Sequence, residues 1–137
     1  MKSVNSPVLF AYINKITNWW PPEKIAASMA VPEYAPKHIY NHVALAFWTY
    51  QYGALDAVSL WDDPIKYFGP SSPFGKSKSE IQLFFKNKYN QYGIKILVSA
   101  FGATEFPTTS NFDPTDCANK LGAYVKANNL DGVDIDW

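Results

Sequence analysis

Four short apolar runs alternate with helical segments along this chain, and that order limits the possible folds more than any other feature. The runs span residues 8–13, 38–48, 94–100 and 131–137, and β-branched and aromatic residues are frequent in them, as in buried strands. Strands that alternate with helices are joined by crossovers and pair in parallel. The sequence therefore predicts an α/β fold with two candidate architectures: an open doubly wound sheet, or the first half of a (β/α)₈ TIM barrel.

The most distinct helix is predicted from about Lys78 to Tyr92. Ser77 and Glu80 have the spacing of a capping box, and Gly93 is placed to end the helix in a left-handed conformation. The apolar positions recur every three or four residues, which is typical of a helix that packs by one side. They form one stripe: Ile81, Phe84, Phe85, Tyr89 and Tyr92.

A second helix is predicted to begin at Asp113, an N-cap residue that precedes Pro114 in the first helical position. Its apolar side consists of Ala118, Leu121, Tyr124 and Val125. Residues 22–30 are predicted as a shorter helix and residues 55–61 as a helical turn. The segment from there through residue 73 is rich in Pro, Gly and Ser and is predicted as a loop.

Composition excludes several classes of protein. The 137 residues fit a single domain with a core of its own. Twelve basic and twelve acidic residues give zero net charge without runs of one sign, which argues against nucleic acid or an anionic membrane as partner. No stretch reaches the roughly 18 apolar residues of a membrane span. No secretory signal is visible and Cys117 is the single cysteine, which favours a reducing, cytoplasmic setting and leaves secretion of a parent protein open.

The last apolar run places two carboxylates on one strand. In an extended segment Gly132, Asp134 and Asp136 share one face, while Val133 and Ile135 share the other. Carboxylates two residues apart on one face influence each other's protonation, which is costly in a purely structural role. The pattern therefore indicates chemistry at this strand.

The same segment resembles the catalytic signature of family 18 glycoside hydrolases, the chitinases and their relatives, which is written Asp-Gly-x-Asp-x-Asp-x-Glu. The four fixed positions that fall within the chain are all matched, by Asp131, Gly132, Asp134 and Asp136. The Glu of the eighth position, the general acid of the family, would be the residue after Trp137. The resemblance implies that residues 1–137 are the N-terminal part of a single catalytic domain, truncated after about four strands of a (β/α)₈ barrel.

The resemblance also implies roles for individual residues. Family 18 enzymes are substrate-assisted: the N-acetyl oxygen of the sugar attacks the anomeric carbon while the Glu protonates the leaving oxygen. Asp136 would hold the N-acetyl group and offset the positive charge of the oxazolinium intermediate. Asp134, behind it, would share a proton with Asp136 as a coupled pair. Tyr12 and Ser99 would hydrogen-bond Asp134.

Other candidates lie along the same strands. Asp131 and Gly132 would shape the entry of the last strand, the Asp as a turn or cap residue and the Gly for close packing. Trp48 and Trp137 are candidate substrate-supporting residues, and packing in the core is the competing interpretation for Trp48. Phe101 replaces the first glycine of the family's Ser-x-Gly-Gly motif and is expected to narrow the cleft.

Four further side chains receive structural interpretations. Phe47 is expected in the core, and Glu105 is expected to be an ordinary surface acid near the rim. His38 and His42 are four residues apart around a strand start, which is poor geometry for a metal, so they are predicted to be structural.

By resemblance, the parent activity is hydrolysis of β-1,4-linked N-acetylglucosamine polymers with retention, without a metal or a cofactor, and the partner is chitin or a glycan that contains N-acetylglucosamine. Without the Glu this fragment is expected to be inactive, because proton donation contributes about 10²- to 10⁴-fold. Three alternatives remain: a chitinase-like lectin, a metal-dependent glycosyltransferase in which the Asp-x-Asp pair binds the ion, or a truncated product without activity. Open sheet edges also predict self-association or low solubility.

Overall fold

The computed structural model describes residues 8–14, 40–105 and 112–136. Its strands are β1 (Phe10–Ile13), β2 (His42–Thr49), β3 (Gly53–Ala54), β4 (Lys95–Phe101) and β5 (Gly132–Asp136). Its helices are α1 (Asp56–Asp62), α2 (Pro64–Phe68), α3 (Lys78–Gln91) and α4 (Pro114–Ala127), and Gly102–Thr104 form a 3₁₀ turn. The helix predicted at residues 22–30 lies outside the described residues, as does His38. None of these helices is long and apolar enough to cross a membrane.

Four parallel strands form the sheet in the order β1-β2-β4-β5, and the short β3 pairs antiparallel with β2. The parallel strands therefore follow chain order without a reversal. A doubly wound sheet reverses its strand order by the fourth strand, whereas a barrel adds each new strand beside the previous one. The order is that of the first part of a (β/α)₈ barrel, the second of the two predicted architectures.

The strand register gives the sheet two chemically different faces. One face packs against the helices and forms the apolar core, which includes Val43, Leu45, Ile96, Val98, Trp61, Ile81, Phe85 and Leu121. On the opposite face Tyr12 lies beside Ala44, and Ser99 lies between Ala46 and Asp134. A closed barrel turns this second face toward its axis, and we call it the inner face. The central part of β2 is buried on both faces, as its continuous apolar run predicts.

Both predicted helix starts are confirmed. The Ser77 hydroxyl accepts a hydrogen bond from the Glu80 backbone N–H at 3.2 Å, and the Glu80 carboxylate accepts one from the Ser77 N–H at 3.2 Å. The Asp113 side chain caps α4 by accepting two backbone N–H bonds, with Pro114 in the first helical position. Gly93 follows α3 with a φ of 72°, the left-handed conformation that its position predicts.

The segment after residue 61 is not entirely the loop that its composition predicts. Residues Pro64–Phe68 form α2, whose N-cap Asp63 accepts a hydrogen bond from the Lys66 backbone N–H at 3.2 Å. Gly69, with a φ of 79°, ends the helix after five residues. The Asp-Pro pair is the same start signal that predicts α4, but a helix this short leaves no apolar period in the sequence.

The outer face of β5 is exposed, contrary to the buried strand that its β-branched residues predict. Val133 is 38% exposed and Ile135 is 52% exposed. The reason is position: β5 is an outermost strand of the sheet, and among the described elements α4 is the helix packed against it. An apolar groove of about 370 Å³ lies along this face, lined in part by Phe101, Phe112, Cys117, Leu121 and Ile135.

A buried polar cluster joins α1, α3 and the loop after α4. Gln82 of α3 is fully buried, and its Nε2 donates to the Trp61 carbonyl at 2.8 Å and to Asn128 Oδ1 at 3.0 Å. Its Oε1 accepts from Asn129 Nδ2 at 3.1 Å. The Trp61 indole N–H donates to the Asn128 carbonyl at 2.8 Å. The buried side of α3 therefore contains a polar residue that the predicted apolar stripe omits.

Candidate functional site

Asp134 is the centre of the candidate site. It lies on the inner face of β5, in register with Ser99 of β4. Ser99 Oγ donates a hydrogen bond to Asp134 Oδ2 at 2.8 Å, and the hydroxyl of Tyr12 on β1 hydrogen-bonds the same carboxyl group. Ser99 is fully buried. Both hydrogen bonds that the family resemblance implies are therefore present.

The contact between Tyr12 and Asp134 reveals a strongly curved sheet. β1 and β5 are separated by β2 and β4. At about 4.8 Å per strand, three steps across a flat sheet measure about 14 Å, which exceeds the length of a tyrosine side chain. The two residues meet because the inner face is concave, as closure into a barrel requires. Small side chains on the intervening strands, Ala46 and Ser99, leave room for this contact.

Asp136 lies two residues further along the same face of β5 and is half-buried. Partial burial, the hydrogen bond to Asp134 and the negative charges of Asp134 and Asp136 raise the pKa of Tyr12 to about 12. Tyr12 therefore keeps its proton at neutral pH and can donate it in the hydrogen bond to Asp134. The structure thus brings together four of the predicted site residues: Tyr12, Ser99, Asp134 and Asp136.

The raised pKa of Tyr12 predicts a loss of stability at high pH. An unfolded tyrosine titrates near 10 and the folded Tyr12 near 12, so the unfolded chain releases this proton first. The stabilisation is complete below pH 10 and is lost as the pH rises toward 12. The Tyr12→Phe variant is therefore expected to lose less stability than the unmodified chain between pH 10 and pH 12, measured by urea unfolding at each pH.

Tyr52→Phe is the matched control, because Tyr52 is 65% exposed. This variant should reproduce the pH dependence of the unmodified chain. If the unfolding free energies of the Tyr12→Phe and Tyr52→Phe variants fell equally steeply between pH 10 and pH 12, the prediction would be contradicted.

Asp131 and Gly132 lie at the start of β5, away from the inner-face carboxylates. Asp131 Oδ2 accepts from the Ile96 backbone N–H at 2.9 Å, and Asp131 Oδ1 lies 3.2 Å from Lys86 Nζ on α3. A Cβ atom on Gly132 would come within 3.1 Å of Leu97 Cδ2. Asp131 thus ties the entry of β5 to β4 and α3, which differs from the turn or cap role expected for it, while Gly132 permits close packing as expected.

The structure does not bring Trp48 to the inner face. Its side chain is 5% exposed, it pairs in register with Ala100 on the helix-covered face, and its ring centroid is 6.5 Å from that of Tyr124 on α4. Trp48 is a core residue, and its candidacy as a substrate-supporting residue is corrected. Trp137 lies outside the described residues.

Phe47 lies on the inner face instead, although the sequence analysis predicts it in the core. Its half-buried ring lies 6.4 Å, centroid to centroid, from that of Tyr12. A Cβ atom on Gly102 would come within 2.7 Å of Phe47 Cε1, so a larger residue there would displace this ring. Two adjacent aromatic residues at a strand end give no signal in the sequence that says which one faces inward.

Phe101 does not narrow the inner face as expected. Its side chain is buried on the outer side, 5.8 Å in ring centroids from Phe112, and it lines the apolar groove. The backbone of Phe101 has a φ of 81°, a conformation that glycine adopts without strain and that costs an aromatic residue energy. The residue therefore keeps a backbone suited to glycine while its ring turns away from the site.

Glu105 is not the surface acid that the sequence suggests. Its Oε2 accepts from the Tyr50 backbone N–H at 2.6 Å, and its Oε1 accepts from the Gln51 N–H at 2.8 Å. The carboxylate thus joins the loop after β4 to the turn after β2. No sequence signal links residues this far apart, so the contact could be found only in three dimensions.

His42 has a structural environment, as predicted. Its Nδ1 lies 2.7 Å from Asn41 Oδ1, and its ring stacks against Phe10 at a centroid distance of 6.4 Å. Within the three described ranges, no group of three His, Cys, Asp or Glu side chains converges to hold a metal ion.

The site has the chemistry of a hydrogen-bonding, cation-stabilising surface. Two carboxylates, a phenol and a hydroxyl meet on a concave face. Ionised carboxylates accept hydrogen bonds from N–H and O–H groups of a ligand, and these bonds are stronger than those between neutral groups. Asp134 already accepts hydrogen bonds from two protein donors, so Asp136 is the better suited of the two carboxylates for contact with a ligand.

The fold and the site define an α/β chain built as the first part of a (β/α)₈ barrel. Among solved structures, a GH18 chitinase from Pseudoalteromonas aurantia has a similar fold, with a TM-score of 0.56 over 96% of this chain. The two sequences are 22% identical, and the chain spans 42% of the chitinase. No protein-family model and no curated protein matches the sequence. The likeness establishes the fold alone, that of part of a chitinase-like barrel.

Proposed function

We propose that this chain is the N-terminal part of a chitinase-like glycoside hydrolase that cleaves β-1,4-linked N-acetylglucosamine polymers by substrate-assisted, retaining hydrolysis. One observation supports the proposal most: Asp134 accepts hydrogen bonds from Tyr12 and Ser99, which lie on two other strands of the concave inner face. The match of the last residues to the family signature and the fold shared with a chitinase point in the same direction.

In the proposed mechanism, Asp136 accepts the N–H of the substrate's acetamido group and turns the acetyl oxygen toward the anomeric carbon. The oxygen attacks, the bond to the leaving oxygen breaks, and the positive charge of the oxazolinium ring develops next to the carboxylate. Tyr12 and Ser99 hold Asp134 behind Asp136. The proton for the leaving oxygen comes from the Glu of the eighth motif position, which is not among the 137 residues.

The test is ligand binding, because it needs no proton donor. The 137-residue chain is titrated with the β-1,4-linked trimer of N-acetylglucosamine and with the corresponding glucose trimer, which has hydroxyl groups in place of the acetamido groups. A hydrogen bond to a charged group contributes about 1.5–3 kcal/mol, so the N-acetylated trimer should bind roughly 10- to 150-fold more tightly. Chemical-shift changes of the backbone amides measure both affinities.

Asp136→Asn is the decisive variant, because the amide no longer provides a charged acceptor. It should remove most of the difference between the two trimers, while Asp62→Asn, on the exposed side of α1, should leave the difference unchanged. Equal affinities for the two trimers would refute the proposal. Binding of a nucleotide sugar that depends on a divalent metal would instead favour the glycosyltransferase alternative.

A further inference from the structure

A polar cluster fixes the turn after β2 at the rim of the inner face. The two oxygens of Glu105 hold the consecutive backbone N–H groups of Tyr50 and Gln51. The Tyr50 hydroxyl donates to Asp116 Oδ2 at 2.6 Å, and Lys120 Nζ lies 2.8 Å from the same oxygen. We call Tyr50, Glu105, Asp116 and Lys120 the rim clamp.

The rim clamp holds both ends of Tyr50. Its backbone is bound by the loop after β4, and its side chain is bound by α4, where Lys120 Nζ also lies 4.7 Å from the ring centroid. The hydrogen bond to Asp116 raises the pKa of Tyr50, and the bonds from Lys120 and Tyr50 lower the pKa of Asp116. Both shifts favour the forms that the clamp needs at neutral pH: a protonated Tyr50 hydroxyl that donates and an ionised Asp116 carboxylate that accepts.

The loop that supplies Glu105 also touches the inner face. Gly102, three residues earlier, is so close to Phe47 that a Cβ atom would come within 2.7 Å of its ring. The Phe47 ring in turn lies beside Tyr12, which hydrogen-bonds Asp134. A continuous series of contacts therefore runs from the rim clamp to the carboxyl group at the centre of the site.

We propose that Glu105 is a positioning residue for this site. By holding the turn after β2 against the loop after β4, it keeps the Phe47 ring in place beside Tyr12, and so keeps the Tyr12 hydroxyl on Asp134. The proposal rests on the proposed function only in taking the site to be a glycan site. The contacts in the series are all within the protein and do not involve a ligand.

The first variant is Glu105→Gln in the 137-residue chain. A glutamine amide has one acceptor oxygen where the carboxylate has two, so one of the two bonds to the turn is lost. Amide exchange at Tyr50 or Gln51 is expected to accelerate by about tenfold or more, the factor for one charge-assisted hydrogen bond. The Tyr12 hydroxyl, followed through ¹³Cζ-labelled tyrosine, is expected to titrate below its original pKa of about 12. Tyr12→Phe assigns that signal.

Phe47→Leu tests the same series from the other side. It removes the ring next to Tyr12 but leaves Glu105 and its two backbone contacts unchanged. The Tyr12 titration is expected to move, while exchange at Tyr50 and Gln51 stays at the level of the unmodified chain. An unchanged Tyr12 titration in this variant would overturn the proposal even if Glu105→Gln failed to fold, because the Phe47 ring is the link between Glu105 and Tyr12.

Asp62→Asn is the control for the loss of one acidic charge, and it should change neither readout. A Tyr12 titration that stays unchanged in the Glu105→Gln and Phe47→Leu variants would overturn the proposal and leave Glu105 with a local structural role. No glycan enters this experiment, so its failure leaves the proposed function standing, and a chain that binds no glycan could still pass it.

Discussion

The Asp131→Ala variant is expected to lose about 2–3 kcal/mol of unfolding free energy, because two partly buried partners are left without an acceptor. The Ile96 backbone N–H loses a 2.9 Å hydrogen bond, and Lys86 loses its ion pair. The Lys86 and Asp131 side chains are only 24% and 13% exposed, so water replaces these interactions incompletely. Urea unfolding followed by circular dichroism measures the loss.

Two further variants separate the contributions. Asp131→Asn keeps an oxygen for the Ile96 N–H but loses the charge that pairs with Lys86, and it should cost about half as much, roughly 1 kcal/mol. Asp62→Ala breaks a comparable aspartate–lysine pair of 2.7 Å whose side chains are more than 40% exposed. That control should change stability by no more than about 0.5 kcal/mol. If the Asp131→Ala and Asp62→Ala variants lost the same small amount, Asp131 would not hold β5 in place.

The Gln82→Ala variant is expected to be at least as damaging, with a loss of about 3 kcal/mol. The substitution leaves the Trp61 carbonyl, Asn128 Oδ1 and Asn129 Nδ2 without the partner they share. Each buried polar group without a partner costs about 1–3 kcal/mol, although Asn129 is only partly buried and can turn toward water. A methyl group also leaves a cavity where the amide was.

Gln91→Ala is the control, because it removes the same side chain from an exposed position at the end of the same helix. Its stability should stay within about 0.5 kcal/mol of the unmodified chain. A loss below about 1 kcal/mol for Gln82→Ala would mean that its partners find other hydrogen bonds after the substitution.

The elements that the sequence predicts well are those defined by local signals. The capping box at Ser77 and the Asp-Pro pair at residue 113 place the starts of α3 and α4 to within a residue. Both signals act within one turn of helix, so neighbouring residues contain all the information. The strands are likewise found from their apolar runs, with boundaries displaced by a few residues at the start of β2.

The misses share a different cause, which is contact between distant parts of the chain. Glu105 looks like a surface acid until the turn after β2 lies against it, and Gln82 looks like a break in an apolar stripe until Asn128 meets it. Burial of Ile135 depends on which element covers the outer side of β5, and the strand's own residues do not specify that element. Phe47, which is expected in the core, lies on the inner face, while Trp48 has the core position that is its competing interpretation.

More of the candidate site than of these contacts follows from the sequence. The reason is that the family resemblance implies contacts between residues far apart in the chain, which spacing alone does not. Local pattern alone places Asp134 and Asp136 on one strand face. That Tyr12 should reach them from the far side of the sheet follows only from a closed-barrel geometry, in which outer strands approach each other across the inner face.

The position of Asp131 separates two parts of the signature motif: Asp131, which holds the strand in the fold, and the carboxylates of the inner face. Selection can act on these two parts separately. A barrel of this kind without a glycan site would still need Asp131 to fold, because its ties to Ile96 and Lys86 do not involve the inner face. It would be free to change Asp136. A motif search that scores all fixed positions equally would therefore collect folded but inactive proteins together with enzymes, and the later positions are the ones that tell them apart.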